Sequence, residues 1–206
     1  MKRSITLASL LLASLPATGT AQIFAEAQGG VLFGSNLVRD SIVQDLTVGP
    51  QPAPTFALRV GSELTNLFAV ALSLRWARSD LVRRELDQTT SIIPLTVWSA
   101  SLAVRRHLTP WASVEGSFGG IKYAPSSDTR EGTIFQDDAP LVPAAGVAAR
   151  IERRVGLRWR VGLEAAYDFH RFTTQALRAT GLGQHRSVHR VAATLIVRRT
   201  LTDATR

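Results

Sequence analysis

The 206-residue chain contains no cysteine. Disulfide bonds, thiolate metal sites and cysteine nucleophiles are therefore all excluded. The chain also lacks an uninterrupted apolar run of the roughly 20 residues that a membrane-spanning helix requires. Patterns typical of amphipathic helices are hard to find beyond the first 21 residues. These absences leave β structure as the main candidate for the fold.

The first 21 residues have the anatomy of an export signal. Lys2 and Arg3 give a positive start, and an apolar run at 5–15 is broken only by small hydroxyl residues. Pro16 and the small residues at 19–21 follow it. We therefore expect residues 1–21 to be a secretory signal peptide that is cleaved before Gln22. A helical membrane anchor is the weaker interpretation, because the apolar run is too short.

The 185 residues that remain once these 21 are removed from 206 are enough for one folded domain. The formal net charge of +8 falls to +6 without Lys2 and Arg3. A basic surface can bind nucleic acid or anionic lipid, but an exported chain is not expected to meet nucleic acid. The basic residues are also scattered, which favours individual solvated or enclosed arginines over a dedicated anion-binding patch.

Strict alternation of apolar and polar side chains is the strongest pattern after the signal. Residues 157–172 show it most clearly. The odd positions are Leu157, Trp159, Val161, Leu163, Ala165, Tyr167 and Phe169, and the even positions are Arg158, Arg160, Gly162, Glu164, Ala166, Asp168 and His170. A period of two residues is typical of a β-strand with one apolar face, whereas a helix would mix the two sets.

The same alternation recurs along the chain. It is clear at 68–78, 96–106 and 111–123, and weaker at 23–34, 55–64, 141–152 and 188–199. Together with 157–172, these segments predict eight strands.

The connections between these segments alternate in length. Short links lie at 65–66, 108–110 and 153–156, whereas long ones lie at 35–54, 79–91, 124–139 and 173–184. The long links contain Pro, Gly, Asp and Gln, which are common in loops. In an up-and-down arrangement all the short links therefore fall at one end and all the long ones at the other.

The size of the side chains indicates which face of the strands points inward. The polar faces carry Gly, Ala and Ser with occasional charges, whereas the apolar faces carry Trp, Phe, Leu and Val. An eight-stranded barrel has room inside only for small side chains and a few paired charges. The bulky apolar face must then point into lipid, where a sheet has to close because its edges would have no water to bond. We therefore predict an all-β fold: an eight-stranded antiparallel up-and-down transmembrane β-barrel at residues 22–200, followed by a polar tail at 201–206.

Each face of the predicted barrel has a set of candidate residues. The charged side chains that point into the lumen are expected to pair, because isolated buried charges are unfavourable. This lumenal set comprises Glu26, Arg59, Glu63, Arg75, Arg105, Glu115, Arg150, Glu152, Arg158, Arg160, Glu164, Asp168, His170, Arg190 and Arg198. The predicted lipid-facing set comprises Phe68, Val70, Leu72, Leu74, Trp76, Trp98, Leu102, Phe118, Trp159, Val161, Leu163, Tyr167 and Phe169.

On its signal, strand pattern and loop alternation, the chain resembles the small outer-membrane barrels of the OmpA-like, OmpX-like and OmpW-like kind over residues 22–199. The resemblance implies a monomer in the bacterial outer membrane, in contact with outer-membrane lipids and lipopolysaccharide and inserted by the outer-membrane assembly machinery. It implies no cofactor. One departure concerns recognition by that machinery: such barrels commonly end on an aromatic residue, whereas here the last strand ends in Arg198 and Arg199 before the polar tail.

Two alternatives from other classes remain open. His185 and Ser187 have a spacing that places them on one face of a strand, and they resemble the base and nucleophile of lipid A deacylase barrels. The sequence expected after the serine and an acidic partner are both missing, so polar residues at a loop end are the favoured interpretation and we do not expect an enzyme. The second alternative is a soluble exported barrel whose bulky face points inward around a ligand.

Metal binding has little support in the sequence. Glu164, Asp168 and His170 span about 20 Å along one strand at ~3.3 Å per residue, which is too far for a single ion. Asp137 and Asp138 in the third long connection have too few neighbouring ligands for a divalent cation site. The leading expectation is thus a non-enzymatic outer-membrane barrel whose specific role resides in the long loops.

Overall fold

The structure is a computed structural model that describes residues 22–40, 46–85, 88–125, 135, 140–175, 177 and 186–202. The predicted signal peptide and the last four residues of the predicted tail lie outside these ranges. The strands are β1 (Gln22–Gly34), β2 (Val38–Asp40), β3 (Leu46–Pro50), β4 (Ala53–Glu63), β5 (Phe68–Glu85), β6 (Gln88–His107), β7 (Ala112–Pro125), β8 (Leu141–Arg154), β9 (Trp159–Phe172) and β10 (Arg186–Thr200). Within the described ranges no helix is long and apolar enough to cross a membrane.

Eight of these strands close into a ring. The order around it is β1, β4, β5, β6, β7, β8, β9 and β10, and β10 pairs with β1 to complete the circle. Every neighbouring pair is antiparallel. The predicted eight-stranded up-and-down barrel is confirmed.

Three tight turns lie at one end of the ring, where the sequence predicts its short links. In the first, Leu64 N donates to Phe68 O at 2.9 Å, and Phe68 N donates to Thr65 Oγ1 at 3.0 Å. The third turn contains Gly156 with φ of 89°, a left-handed conformation that favours glycine. Short turns of this kind face the periplasm in outer-membrane barrels, so this end is called the periplasmic end.

At the opposite, outer end, two of the predicted long loops are partly wrong. Residues 79–91 are not a loop, because β5 continues to Glu85 and β6 resumes at Gln88. Residues 35–54 contain β2 and β3, and β3 pairs with β5. Alternation fades in these segments because polar side chains occupy both faces, but the backbone ladder does not depend on apolar side chains.

Candidate functional site

The barrel interior is crossed by buried arginines and carboxylates from different strands. They occupy inward positions, which alternate with the outward apolar ones along each strand. We call this set the lumenal network, and it comprises Glu26, Arg59, Arg75, Arg105, Glu115, Arg150, Glu152, Glu164, Asp168 and Arg198.

Two arginines bridge the centre of the lumenal network. Arg150 on β8 contacts Glu26 on β1 at 2.5 Å and Glu164 at 3.1 Å. Arg59 on β4 contacts Glu115 at 2.8 Å and Glu164 at 3.1 Å. Because each carboxylate is shared between arginines from separate strands, the charges compensate one another and tie opposite walls of the barrel together.

The network extends in both directions from this centre. Toward the outer end, Arg75 contacts Glu164 at 3.1 Å and Asp168 at 3.5 Å. Toward the periplasmic end, Arg105 lies 3.8 Å from Glu152. The charged layer is therefore several residues deep along the barrel axis.

The periplasmic end of the network is closed by Arg198. Its guanidinium pairs with Glu63 and lies 3.9 Å above the ring of Phe24. His107 Nε2 is 3.0 Å from the other oxygen of Glu63. The contact of the guanidinium with the aromatic ring is a cation–π contact.

Most predicted lumenal residues lie in the network or, for Glu63, at its edge, but one position is wrong. Arg158 is exposed in the turn before β9 rather than in the lumen, and its backbone oxygen accepts from Thr200 N at 2.9 Å. The strand begins one residue later, at Trp159, so the inward alternation starts at Arg160.

Three further predicted residues point inward without joining the network. Arg160 is half-buried at the periplasmic end. Arg190 is buried on β10 opposite Asp168, and its Nε and Nη1 atoms make no hydrogen bond. His170 is buried, and its Nε2 lies 2.7 Å from the hydroxyl of Tyr123. The predicted cluster is therefore divided: Glu164 and Asp168 contact arginines of the lumenal network, whereas His170 contacts Tyr123.

Sequence reasoning missed the neutral members of the interior. Gln28 Nε2 donates to Glu26 at 2.6 Å and to Glu164 at 3.1 Å. Arg59 Nε donates to Ser73 Oγ at 3.2 Å. Gln28 is two residues from Glu26, and Ser73 is two residues from Arg75. Residues two apart on a strand point to the same face, so the sequence could have placed both neutral residues inside.

Above the network, toward the outer end, the interior becomes apolar. We call this layer the apolar cap, and it comprises Leu37, Val48, Leu81, Ile93, Leu95, Val97, Ile121, Tyr123, Phe135, Val142, Phe172, Leu177 and Val188. The ring of Tyr123 lies 5.1 Å from that of Phe172 and 6.2 Å from that of Phe135. Phe135 and Leu177 belong to the connections β7–β8 and β9–β10, so two outer connections contribute side chains that close the barrel.

The outer wall is apolar. All thirteen predicted lipid-facing residues lie on it. Among those that are exposed, the exposed fraction runs from 38% at Phe169 to 67% at Phe118, whereas Val70 and Trp76 are half-buried. A continuous wall of exposed large apolar side chains is unfavourable in water. It argues against the alternative of a soluble barrel with its bulky face inward.

A small sheet rises from the outer end beyond the ring. The β5–β6 ladder continues to the pair Glu85 and Gln88, past the points where β4 and β7 stop pairing with it. On the β5 side, β3 and then β2 extend the sheet. We call the four-stranded unit of β2, β3 and the outer parts of β5 and β6 the protruding sheet.

One edge of the protruding sheet is open among the residues that the structure describes. No described strand pairs with β6 at residues 88–94 on the side away from β5. We call this segment the β6 edge. Its exposed residues are Gln88, Thr89, Thr90, Ser91, Ile92 and Pro94, and none of them is charged.

The remaining sequence candidates are only partly described. Ser187 is exposed opposite Arg171 on β9, whereas His185 lies outside the described residues. Asp137 and Asp138 also lie outside them. Within the described part of the chain, no three His, Asp or Glu side chains are grouped so that they could hold a metal ion.

Comparison with known proteins identifies the fold. No family model matches the chain, and no curated protein matches it in sequence. Among solved structures, Neisserial surface protein A is similar, with 10% identity, a TM-score of 0.58 and coverage of 87% of this chain and 97% of the other. The outer membrane protein AlkL, solved in lipid bilayers, has 13% identity, a TM-score of 0.55 and coverage of 94% and 97%.

At these identities the likeness concerns the fold alone. It agrees with the closed ring, the short periplasmic turns and the apolar outer wall, and with the localisation expected from the sequence. The chain has the fold of the small bacterial outer-membrane β-barrels.

Proposed function

We propose that the protein resides in the outer membrane as a closed, non-enzymatic barrel and acts by binding a partner at the cell surface. Two features support a closed lumen. The lumenal network fills the interior with paired charges, and the apolar cap fills it nearer the outer end. An interior filled at two levels offers no wide aqueous path, so the surface is the favoured place for a specific role.

The observation that carries the proposal is the β6 edge, which no described strand covers. An edge strand presents a row of unpaired backbone N–H and C=O groups, which another extended chain can pair with. Natural proteins block such edges with charges, proline or a β-bulge. Residues 88–91 of the β6 edge have none of these, whereas the bulge at Ile92 and Pro94 lie nearer the ring. The edge also extends beyond the ring, where a partner outside the cell can reach it.

An extended peptide segment of a surface or extracellular protein fits this edge best. Strand addition gains affinity from backbone hydrogen bonds and specificity from alternate side chains. The exposed Thr89, Thr90 and Ser91 offer hydroxyl groups, and Ile92 offers an apolar contact.

Peptide selection tests the proposal. The protein in phospholipid nanodiscs is used to select from a library of random peptides, and the affinities of the enriched peptides are then measured by fluorescence anisotropy. We expect the variant carrying Thr90→Lys and Ile92→Lys to bind about tenfold more weakly or worse, because charges on an edge oppose strand addition.

Gln51→Lys is the matched control. Gln51 is exposed at the same outer end but lies outside the edge, so its added charge should leave peptide affinity unchanged. The proposal fails if nanodiscs with the protein enrich no peptides over empty nanodiscs, or if the control loses as much affinity as the edge variant.

A further inference from the structure

Three arginines occupy neighbouring inward positions of the strand register at the periplasmic end, and one of them, Arg154, is exposed. In the strand register, Arg160 on β9 is directly opposite Arg198 on β10 and directly opposite Arg154 on β8. Side chains in directly opposite positions have Cβ atoms about 4.5–5.5 Å apart, and like charges there are destabilising. A row of three like charges therefore needs compensation.

The two flanking arginines of the row, Arg154 and Arg198, have described partners, whereas the side chain of the middle one, Arg160, has none. Arg198 pairs with Glu63. Arg154 donates to the backbone oxygens of Gly156 at 3.0 Å and Leu157 at 2.8 Å. The side chain of Arg160 forms no hydrogen bond or ion pair with any residue that the structure describes, although its backbone lies in the ladders with β8 and β10. The charge of Arg160 thus has no partner among the described side chains, and that of Arg154 is met only by backbone oxygens.

Arg160 and Arg198 line a cavity that opens at this end of the barrel. Its volume is about 440 Å³, and its wall also contains Glu63, His107, Asn66 and Thr109. The cavity therefore combines an unpaired guanidinium with neutral hydrogen-bonding groups and one carboxylate, Glu63, which is paired with Arg198. Arg198 is almost fully buried, and its Nε makes no hydrogen bond.

We propose that this cavity binds a compact oxyanion, a carboxylate or phosphate group of a periplasmic molecule, at Arg160 beside Arg198. The planar guanidinium of Arg160 can donate two parallel hydrogen bonds to such a group. The bound negative charge would offset the repulsion between the neighbouring arginines. Glu63, on the same wall, disfavours ligands with several negative charges near Arg198.

The site is tested by titrating the protein, purified in detergent micelles, with inorganic phosphate and separately with acetate. Ionic strength is held constant with sodium chloride, and binding is followed by calorimetry and by NMR of the arginine Nε–H groups. We expect saturable binding of at least one probe, with a shift of the Arg160 signal. Phosphate alone would indicate a phosphate-bearing ligand, and acetate binding would indicate a carboxylate.

Arg160→Gln should weaken that binding about tenfold or more, the factor expected for losing a charge-assisted pair. Arg153→Gln is the matched control, because Arg153 is exposed on the neighbouring strand and does not line the cavity. Without added oxyanion, Arg160→Gln should melt no lower than the native protein, since it removes a repulsion. If it does not fold, Arg160→Lys keeps the charge, loses the paired donors and should also bind more weakly.

Failure of both probes to saturate would overturn the proposal. Equal weakening by Arg160→Gln and Arg153→Gln would overturn it as well, because binding would then follow net charge rather than the cavity. Neither result bears on the β6 edge, which lies at the opposite end of the barrel.

Discussion

Glu164 is a buried carboxylate that contacts three arginines and a glutamine in the lumen. Its oxygens contact Arg59, Arg75 and Arg150 at 3.1 Å each and accept a hydrogen bond from Gln28. Removing its charge would leave three buried arginines short of compensation. The stability of the barrel interior should therefore depend strongly on this single residue.

We predict that Glu164→Gln destabilises the protein by about 3–5 kcal/mol, the range found when one partner of a buried ion pair is removed. The measurement is the urea midpoint of unfolding in detergent micelles. Glu85→Gln is the control, because the Arg83–Glu85 pair at 2.5 Å is partly exposed and should contribute only about 0–1 kcal/mol. Similar effects of the two changes would contradict the central role of Glu164.

The sequence predicted which charged residues lie inside the barrel better than it predicted which of them pair with each other. Strand alternation was enough to place Glu26, Arg59 and Arg150 inside. Which carboxylate meets which arginine depends on how the ring closes, and no local pattern contains that information. The error at Arg158 has a local cause, because the alternation begins at Leu157 whereas the strand starts two residues later, at Trp159.

The protruding sheet is the element that sequence patterns described least well. Residues 79–91 were expected to be a loop, whereas the β5–β6 ladder continues through most of them. Alternation of apolar and polar side chains indicates that one face of a strand is apolar. Beyond the membrane neither face needs to be apolar, so the strand continues although the alternation is lost.

Shortening this element should separate folding from surface binding. If residues 83–90 are replaced by Asn-Gly, a sequence suited to a two-residue hairpin turn, Val82 and Ser91 remain paired and Leu81 stays in the apolar cap. We expect the shortened protein to change mobility on a denaturing gel after boiling, as a closed barrel does, and to lose peptide binding at the β6 edge.

The full-length chain with Asn-Gly at positions 86–87 is the control and should retain both properties. Loss of the boiling-dependent shift in the shortened protein would mean that the protruding sheet is required for closure. Retained peptide binding would instead move the proposed binding surface away from the β6 edge.

At the scale of the whole molecule, the contrast between wall and lumen determines which surroundings the protein tolerates. The outer face exposes bulky apolar groups while the interior holds the charges. This inversion relative to a water-soluble protein was predictable from side-chain size alone, because a narrow barrel cannot enclose a full set of Trp, Phe and Leu.

We predict that Leu102→Arg on the outer wall destabilises the barrel in lipid bilayers by about 2–4 kcal/mol, as arginine does near the middle of a bilayer. Leu102 is 59% exposed, and Leu108 in a periplasmic turn is 57% exposed. Leu108→Arg is therefore matched in exposure and should change stability by only about 0–1 kcal/mol. Equal effects in reversible unfolding from vesicles would argue against a lipid-facing wall at Leu102.

The proposed closed lumen also has an electrical consequence. With the lumenal network and the apolar cap in place, we expect the purified protein to add no regular conductance steps to a planar lipid bilayer. An open-pore barrel inserted under the same salt conditions serves as the positive control. Reproducible single-channel steps from the purified protein would contradict the closed interior.

The pairing of β1 with β10 joins residues that are far apart in the chain. Phe24 is opposite Thr200, and beyond that pair Leu201 N donates to Ile23 O at 2.8 Å. Contacts at such sequence distance slow folding, since most of the chain must be ordered before they form. Until β10 arrives, β1 and β9 each retain an edge that hydrocarbon does not tolerate. Insertion should therefore be all-or-none, with the last strand as the committing step.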